Sequence, residues 1–172
     1  MLIFILLAVI AVITLLTLSI IDFRTWILPD PLNLLLGITG IAFHALASFE
    51  ILVPHELIFG ALLGAGFLYI IRMGGNAYYK QESLGLGDVK LLGAAGLWLG
   101  IEGLIIAIIL GAMAGIVHGV LLAAYISAKE KKPFSLKRLM LPAGPGFCIG
   151  ILLTGIWVLA PWFGFDTGIY LP

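Results

Sequence analysis

The 172-residue chain is 62% hydrophobic and 10% charged, against about 45–50% and about 25% in an ordinary soluble domain. A water-soluble core of this length cannot hide that excess, because a folded surface needs polar cover, so a bilayer is the fitting solvent. Nine Lys and Arg balance nine Asp and Glu, which leaves no overall basic footprint for nucleic acid, and the single cysteine, Cys148, excludes an internal disulfide and a Cys-rich metal site.

Residues 1–21 are almost wholly apolar and carry no Lys or Arg. A secretory signal would show a basic start, a shorter apolar core and a small-residue cleavage site. This run is instead long enough to cross a bilayer and ends directly on Asp22-Phe23-Arg24, so a retained transmembrane helix is expected over 2–21. Taking about 20 residues per crossing, further spans are expected at 32–49, 55–72, 88–100, 103–127 and 145–163. The stretch from Leu91 to Ser127 has Glu102 as its one acidic break. It is too long for one crossing and slightly short for two, which predicts a stubby or partly buried fourth helix and a turn at Gly100-Ile101-Glu102-Gly103. Gly60–Gly64, Gly96–Gly100 and Gly111–Gly115 are spaced i, i+4, a pattern that lets helices approach closely in lipid. Cys148 reads as a small packing residue in an apolar run. The expected architecture is an all-α polytopic membrane protein, one domain over 1–172, built as a bundle of six transmembrane helices.

Charge placement tests that layout. With six crossings, Arg24, Arg72, Lys80, Lys90, Lys129, Lys131, Lys132, Lys137 and Arg138 all fall on one side. The other side holds Glu50, Glu56, Glu102 and Asp166 with no Lys or Arg. Cytoplasmic loops are enriched in Lys and Arg, so the first, third and fifth loops are expected in the cytoplasm and both termini outside. Merging the fourth and fifth spans would move the 129–138 cluster across the membrane and destroy the separation.

Ionisable groups near or within membrane spans are costly and are therefore candidates for function. Five acids lie on the basic side: Asp22, Asp30, Glu82, Asp88 and Glu130. Glu130, within Lys129-Glu130-Lys131-Lys132, reads as a solvated loop charge. The other four fall in two blocks, one running from Asp22 to Asp30 and one from Glu82 to Lys90. Asp22 alone would read as a polar residue at a helix end. Asp88 follows Gly85-Leu86-Gly87, where glycine permits a tight bend and close approach of another chain, and it opens an apolar helix whose N-terminus favours a carboxylate. An N-cap explains Asp88 singly but not a second aspartate at matching depth on the same side. Two carboxylates brought close can share a proton, one acting as base on a water while the other protonates or hydrogen-bonds a carbonyl. That chemistry cleaves amides with no metal or other cofactor. His44, His55 and His118 lack metal-ligand spacing and read as packing or interface residues.

In these blocks, Asp22-Phe23-Arg24 with Ile27-Leu28-Pro29-Asp30, and Glu82-Ser83-Leu84-Gly85-Leu86-Gly87-Asp88-Val89-Lys90, the chain resembles the type IV prepilin peptidase family of GxGD membrane aspartyl proteases. Gly93-Ala94-Ala95-Gly96-Leu97-Trp98-Leu99-Gly100 and Leu141-Pro142-Ala143-Gly144-Pro145-Gly146-Phe147 resemble further family segments. The combination is specific where GxGD alone would be weak. The resemblance implies Asp22 and Asp88 as the catalytic pair, with Gly85, Gly87, Lys90, Glu82, Pro29 and Asp30 as supporting motif residues. It further implies an aspartic endopeptidase that removes the basic leader from prepilin or pseudopilin-like precursors at the cytoplasmic face of the inner membrane. Many relatives carry an added N-terminal region with paired CxxC motifs and methylate the new N-terminus; this chain reads as the short form, so methylation is not expected. Two other readings compete. A presenilin-like intramembrane protease shares GxGD but pairs it with Tyr-Asp, whereas Ile21 precedes Asp22 here. A transporter or assembly scaffold would use the same acids and glycines for packing alone.

Overall fold

In a computed structural model, residues 1–80, 84–131, 133 and 141–165 are described. The helices are α1 (Leu2–Thr25), α2 (Asp30–Leu46), α3 (Pro54–Tyr79), α4 (Leu86–Glu130) and α5 (Gly144–Leu159), followed by a 3-10 turn at Pro161–Phe163; the described residues contain no strand. Helix α1 runs one turn past its expected end and stops at Trp26, whose left-handed backbone turns its N–H back onto the Asp22 carbonyl. Helices α2, α3 and α5 all carry proline in the first turn, where its missing N–H costs no helical bond. At α3 the Glu56 carboxylate accepts the Val53 N–H at 3.3 Å. Helix α3 then continues to Tyr79, well beyond the expected boundary at residue 72, and carries Arg72 to the 84–86 junction, where its guanidinium donates to the Leu84 carbonyl.

Helix α4 spans 45 residues but is not one rod, because Gly100 interrupts it at φ 64, ψ −165. Only glycine takes up such a backbone without strain. A Cβ placed on Gly64 of α3 would strike the Leu92 carbonyl and lie 3.0 Å from Leu104 Cδ2. Twelve residues of straight helix would separate Leu92 from Leu104 by about 18 Å, so the chain doubles back at Gly100, within the expected turn. The expected fourth and fifth spans are thus joined as two arms of one element, so the described residues hold five helical elements and not six separate helices. Three of them, α1, α3 and α4, contain stretches long and apolar enough to cross a membrane; α2 and α5 are apolar but shorter.

Helix α4 is the hub. Its first half packs on α3 through Gly60, Gly64 and Gly96 and on α2 through Gly37 and Gly40, while its second half packs on α5 through Gly111, Gly146 and Gly150. Added Cβ atoms on Gly60 and Gly40 would come within 2.8 Å of the Gly96 carbonyl oxygen and 2.7 Å of the Trp98 ring, respectively. The expected small-residue contacts bring backbones together at Gly60, Gly64, Gly96 and Gly111, whereas an added Cβ would meet the Leu52 side chain at Gly100 and open space at Gly115. Leu18, Leu36, Phe43, Leu91, Leu92, Leu99 and Leu104 fill the centre. The polar pattern is inside out. Leu2, Ile70, Ile116 and Leu121 face outward, while Thr14, Asn33, Thr39, His44, Asp22, Asp88 and Thr154 are buried. That is the arrangement of a protein solvated by lipid, where polar groups must be satisfied internally. His44 Nε2 and the Trp98 carbonyl are 3.1 Å apart, and Trp98 Nε1 donates to the Leu36 carbonyl at 2.7 Å, joining α2 to α4. A Gly64→Leu change would pry α3 from both halves of α4 at once. It should cost at least about 3 kcal/mol, the upper range for overpacking, read as a lowered unfolding temperature in detergent, whereas Gly115→Ala should be close to neutral.

Candidate active site

The end of α1 and the starts of α2, α4 and α5 converge at one end of the bundle, the end opposite Gly100. Asp22, in the last turn of α1, is 5% exposed, and its Oδ2 accepts the Gly144 N–H at 3.0 Å from the first residue of α5. Asp88, 7% exposed, accepts a backbone hydrogen bond from Gly85, and its Oδ1 has no partner among the described residues. The two carboxylates are near enough for their charges to repel each other. Cys148, one turn along α5 from Gly144 and 2% exposed, lies within electrostatic reach of both. Among the described residues, no cation pairs with Asp22 or Asp88. Asp30 behaves differently: its Oδ2 takes Lys90 Nζ at 2.6 Å, with both side chains largely exposed.

Local sequence explains how Asp88 reaches this place. The helix starts at Leu86, two residues earlier than expected, so Asp88 sits inside the first turn while Gly85 is the N-cap. Gly87 lies against the loop between α1 and α2. A Cβ there would stand 2.6 Å from Leu28 Cβ and 3.2 Å from its carbonyl oxygen. Leu28 is itself buried beneath the junction. Asn33 of α2 donates from Nδ2 to the Gly87 carbonyl at 3.3 Å, and the Asp30–Lys90 pair ties the same two helix starts on the outside. Pro29 caps α2, its carbonyl receiving the Leu32 and Asn33 N–H groups. Beside these ties, a groove of about 620 Å³ runs between α2 and α4 past Asn33, Gly37, Ala94 and Leu97.

The structure thus brings Asp22, Pro29, Asp30, Gly85, Gly87, Asp88 and Lys90 to one end, while Glu82 lies outside the described residues. Three neighbours of the pair were not assigned to the site from the sequence. Asn33 had a visible signal, a polar side chain in an apolar run. Cys148 was read as packing, and it is buried, but at the pair. Gly144 acts through its backbone N–H, which no residue letter advertises. His44 and His118 lie against Phe43 and Phe23 respectively, as aromatic packing partners. Chemically the site offers two buried carboxyl groups within electrostatic reach of each other, a backbone donor to each from Gly144 and Gly85, and low polarity around them, a setting for proton exchange with a bound water.

Residues 9–120 match the type IV leader peptidase family. The chain is 39% identical over 105 residues to the prepilin leader peptidase/N-methyltransferase of Escherichia coli strain K12, covering 61% of this chain and 46% of that protein. It is 32% identical over 136 residues to the enzyme of the same name from Pectobacterium carotovorum, covering 79% and 46%. It is 34% identical over 151 residues to leader peptidase HopD of Salmonella typhimurium, covering 85% of this chain and 89% of that protein. The chain therefore spans about half the length of the prepilin peptidase/N-methyltransferases it matches and nearly the whole of HopD. No solved structure matches it. With the matched segment carrying both aspartate blocks and more than half of the residues, this integral membrane protein belongs to the type IV leader peptidase family.

Proposed function

We propose that the protein is an aspartic endopeptidase that removes the basic leader from prepilin or pseudopilin-like precursors at the cytoplasmic face of the inner membrane. One observation carries the reading: Asp22 and Asp88, from separate helices, are both buried and within electrostatic reach of each other, with no cation among the described residues to neutralise them. Apolar surroundings make that arrangement costly, and a scaffold would gain nothing from it. In the reaction, one carboxylate takes a proton from water as the water attacks the scissile carbonyl. The other carboxyl hydrogen-bonds that carbonyl, and a proton then passes to the departing amine. The Asp30–Lys90 pair and the Gly87 contacts hold the helix starts in register. The direct test is cleavage of a prepilin by the purified protein in lipid, followed as the gel shift on leader loss. An absence of cleavage by well-inserted protein, across a panel of prepilins and pseudopilins, would count against the peptidase reading.

The topology proposed with it has six crossings, α4 contributing two through its reversal at Gly100, and the active end in the cytoplasm. It is supported by the basic residues Arg24, Lys80, Lys90 and Lys129 clustering at the helix ends near Asp22 and Asp88, opposite Glu50 and Glu102. Reporter fusions after Arg24, Lys80 and Lys132 should report cytoplasmic, and those after Glu50 and Glu102 external. An external signal at Lys132 would mean that α4 crosses once, and the six-crossing arrangement would fail.

A further inference from the structure

We infer that Gly144 is a positioning residue for catalysis, its backbone N–H and its missing side chain together fixing the Asp22 carboxylate; the inference rests on the dyad proposed above. Helix α5 starts at Gly144 with Pro145 following. The first N–H groups of a helix have no partner within it, and proline brings none at all. The N–H of Gly144 is therefore free to be used elsewhere, and it is donated to Asp22 Oδ2 at 3.0 Å, in a buried bond between residues 122 apart in the chain. The positive end of a helix dipole reinforces a bond to a carboxylate.

The approach is close enough to demand glycine. A Cβ on Gly144 would lie 2.6 Å from Asp22 Oδ2, 3.0 Å from its Cγ and 3.3 Å from Leu28 Cδ1. Two of these atoms belong to the proposed catalytic acid, and the third to the residue packed under Gly87, the neighbour of Asp88. Any side chain at 144 would thus push on Asp22 and, through Leu28, on the backbone that carries Asp88. Neighbouring Gly146 supplies the contrast. Its added Cβ would sit 2.8 Å from the Gly111 carbonyl oxygen, an equally tight fit that faces α4 and touches neither aspartate.

The test compares Gly144→Ala with Gly146→Ala in the full-length protein, measuring prepilin cleavage and thermal unfolding in the same detergent. Both should lose thermal stability. Gly144→Ala alone should lower kcat, by on the order of 100-fold, as expected for a reacting group displaced by about 1 Å, with KM changed by less than about threefold because residue 144 is buried and the change leaves the exposed surface as it was. An equal fall in kcat for the two variants would overturn the inference, as would near-normal kcat for Gly144→Ala. A second measurement covers poor folding of the single variant. In an Asp22→Ala background the clash is relieved, so Gly144→Ala should lower the unfolding temperature less than it does in the wild type; a strictly additive loss would again overturn the inference. Asp22→Asn, assayed alongside, separates the two levels. Its inactivity beside an active Gly144→Ala sinks only the positioning role, whereas its activity sinks the dyad as well.

Discussion

Asp22→Asn and Asp88→Asn should each lower prepilin cleavage by on the order of 10⁴-fold or more, and the double variant should fall little further, because groups acting as one unit lose their effect together. Asparagine keeps the size and shape of the side chain and removes its capacity to exchange a proton. The Gly144 N–H can still reach the amide oxygen at position 22, so the bundle should assemble. Stability should move the other way at position 88. The Asp88 Oδ1 is buried with no partner among the described residues, and the carboxylate feels the charge of Asp22, so a neutral amide there relieves repulsion, and the unfolding temperature should hold or rise, a trade seen where sites are built for activity rather than stability. Glu50→Gln, a change to an exposed charge at the opposite end of the bundle, should leave cleavage unaltered. Near-normal cleavage by either well-inserted aspartate variant would remove the pair from the mechanism.

The next largest effect is expected at Gly87. Alanine there must displace Leu28, whose Cβ would stand 2.6 Å from the new methyl carbon and whose backbone oxygen is close behind. Leu28 is buried and cannot swing away, so the start of α4 must move and take Asp88 with it. A shift of about 1 Å at a reacting group can cost on the order of 100-fold, and kcat should fall by that much with protein levels in the membrane preserved. Gly85→Ala makes a useful comparison. Its added methyl carbon would meet Asp88 Oδ2 at 3.1 Å and little else, and a carboxylate can rotate by a few tenths of an ångström. Gly85→Ala should therefore be milder by about tenfold, in keeping with a smaller displacement. Equal losses for the two variants would show that the helix start, and not the Leu28 contact, sets the position of Asp88.

The features legible in the sequence are those that recur along it. Apolar runs marked the helices, and the Gly100–Gly103 block marked the reversal of α4, since a charged residue and glycines interrupt the pattern there. The two aspartate blocks stood out because carboxylates are rare in such a chain. Boundaries were less visible. Asp22 and Arg24 did not end α1, because polar residues in a final turn are compatible with helix once their backbone bonds are already made within it. Arg72 did not end α3, which runs on to Tyr79, because a charged side chain breaks the apolar pattern but not the backbone hydrogen bonding. Asp88 was expected to open the helix but is the third residue of its first turn, since Gly85 and Leu86 adopt the cap and first position. The remaining neighbours of the pair depend on packing between distant segments. Nothing in the letters 141–147 says that one amide points at residue 22.

That last bond also sets an order of events during synthesis. The reversal at Gly100 joins sequence neighbours, and the ties between α2 and α4 join residues 54 and 60 apart, so both can form while the chain is still growing. The Asp22–Gly144 bond must wait until α5 has been made and inserted, as the most sequence-distant contact of the set. The nascent protein therefore carries both aspartates long before it carries the bond that joins Asp22 to α5, and the proposed proteolytic competence should arrive only once α5 has been inserted and has packed against α1 and α4.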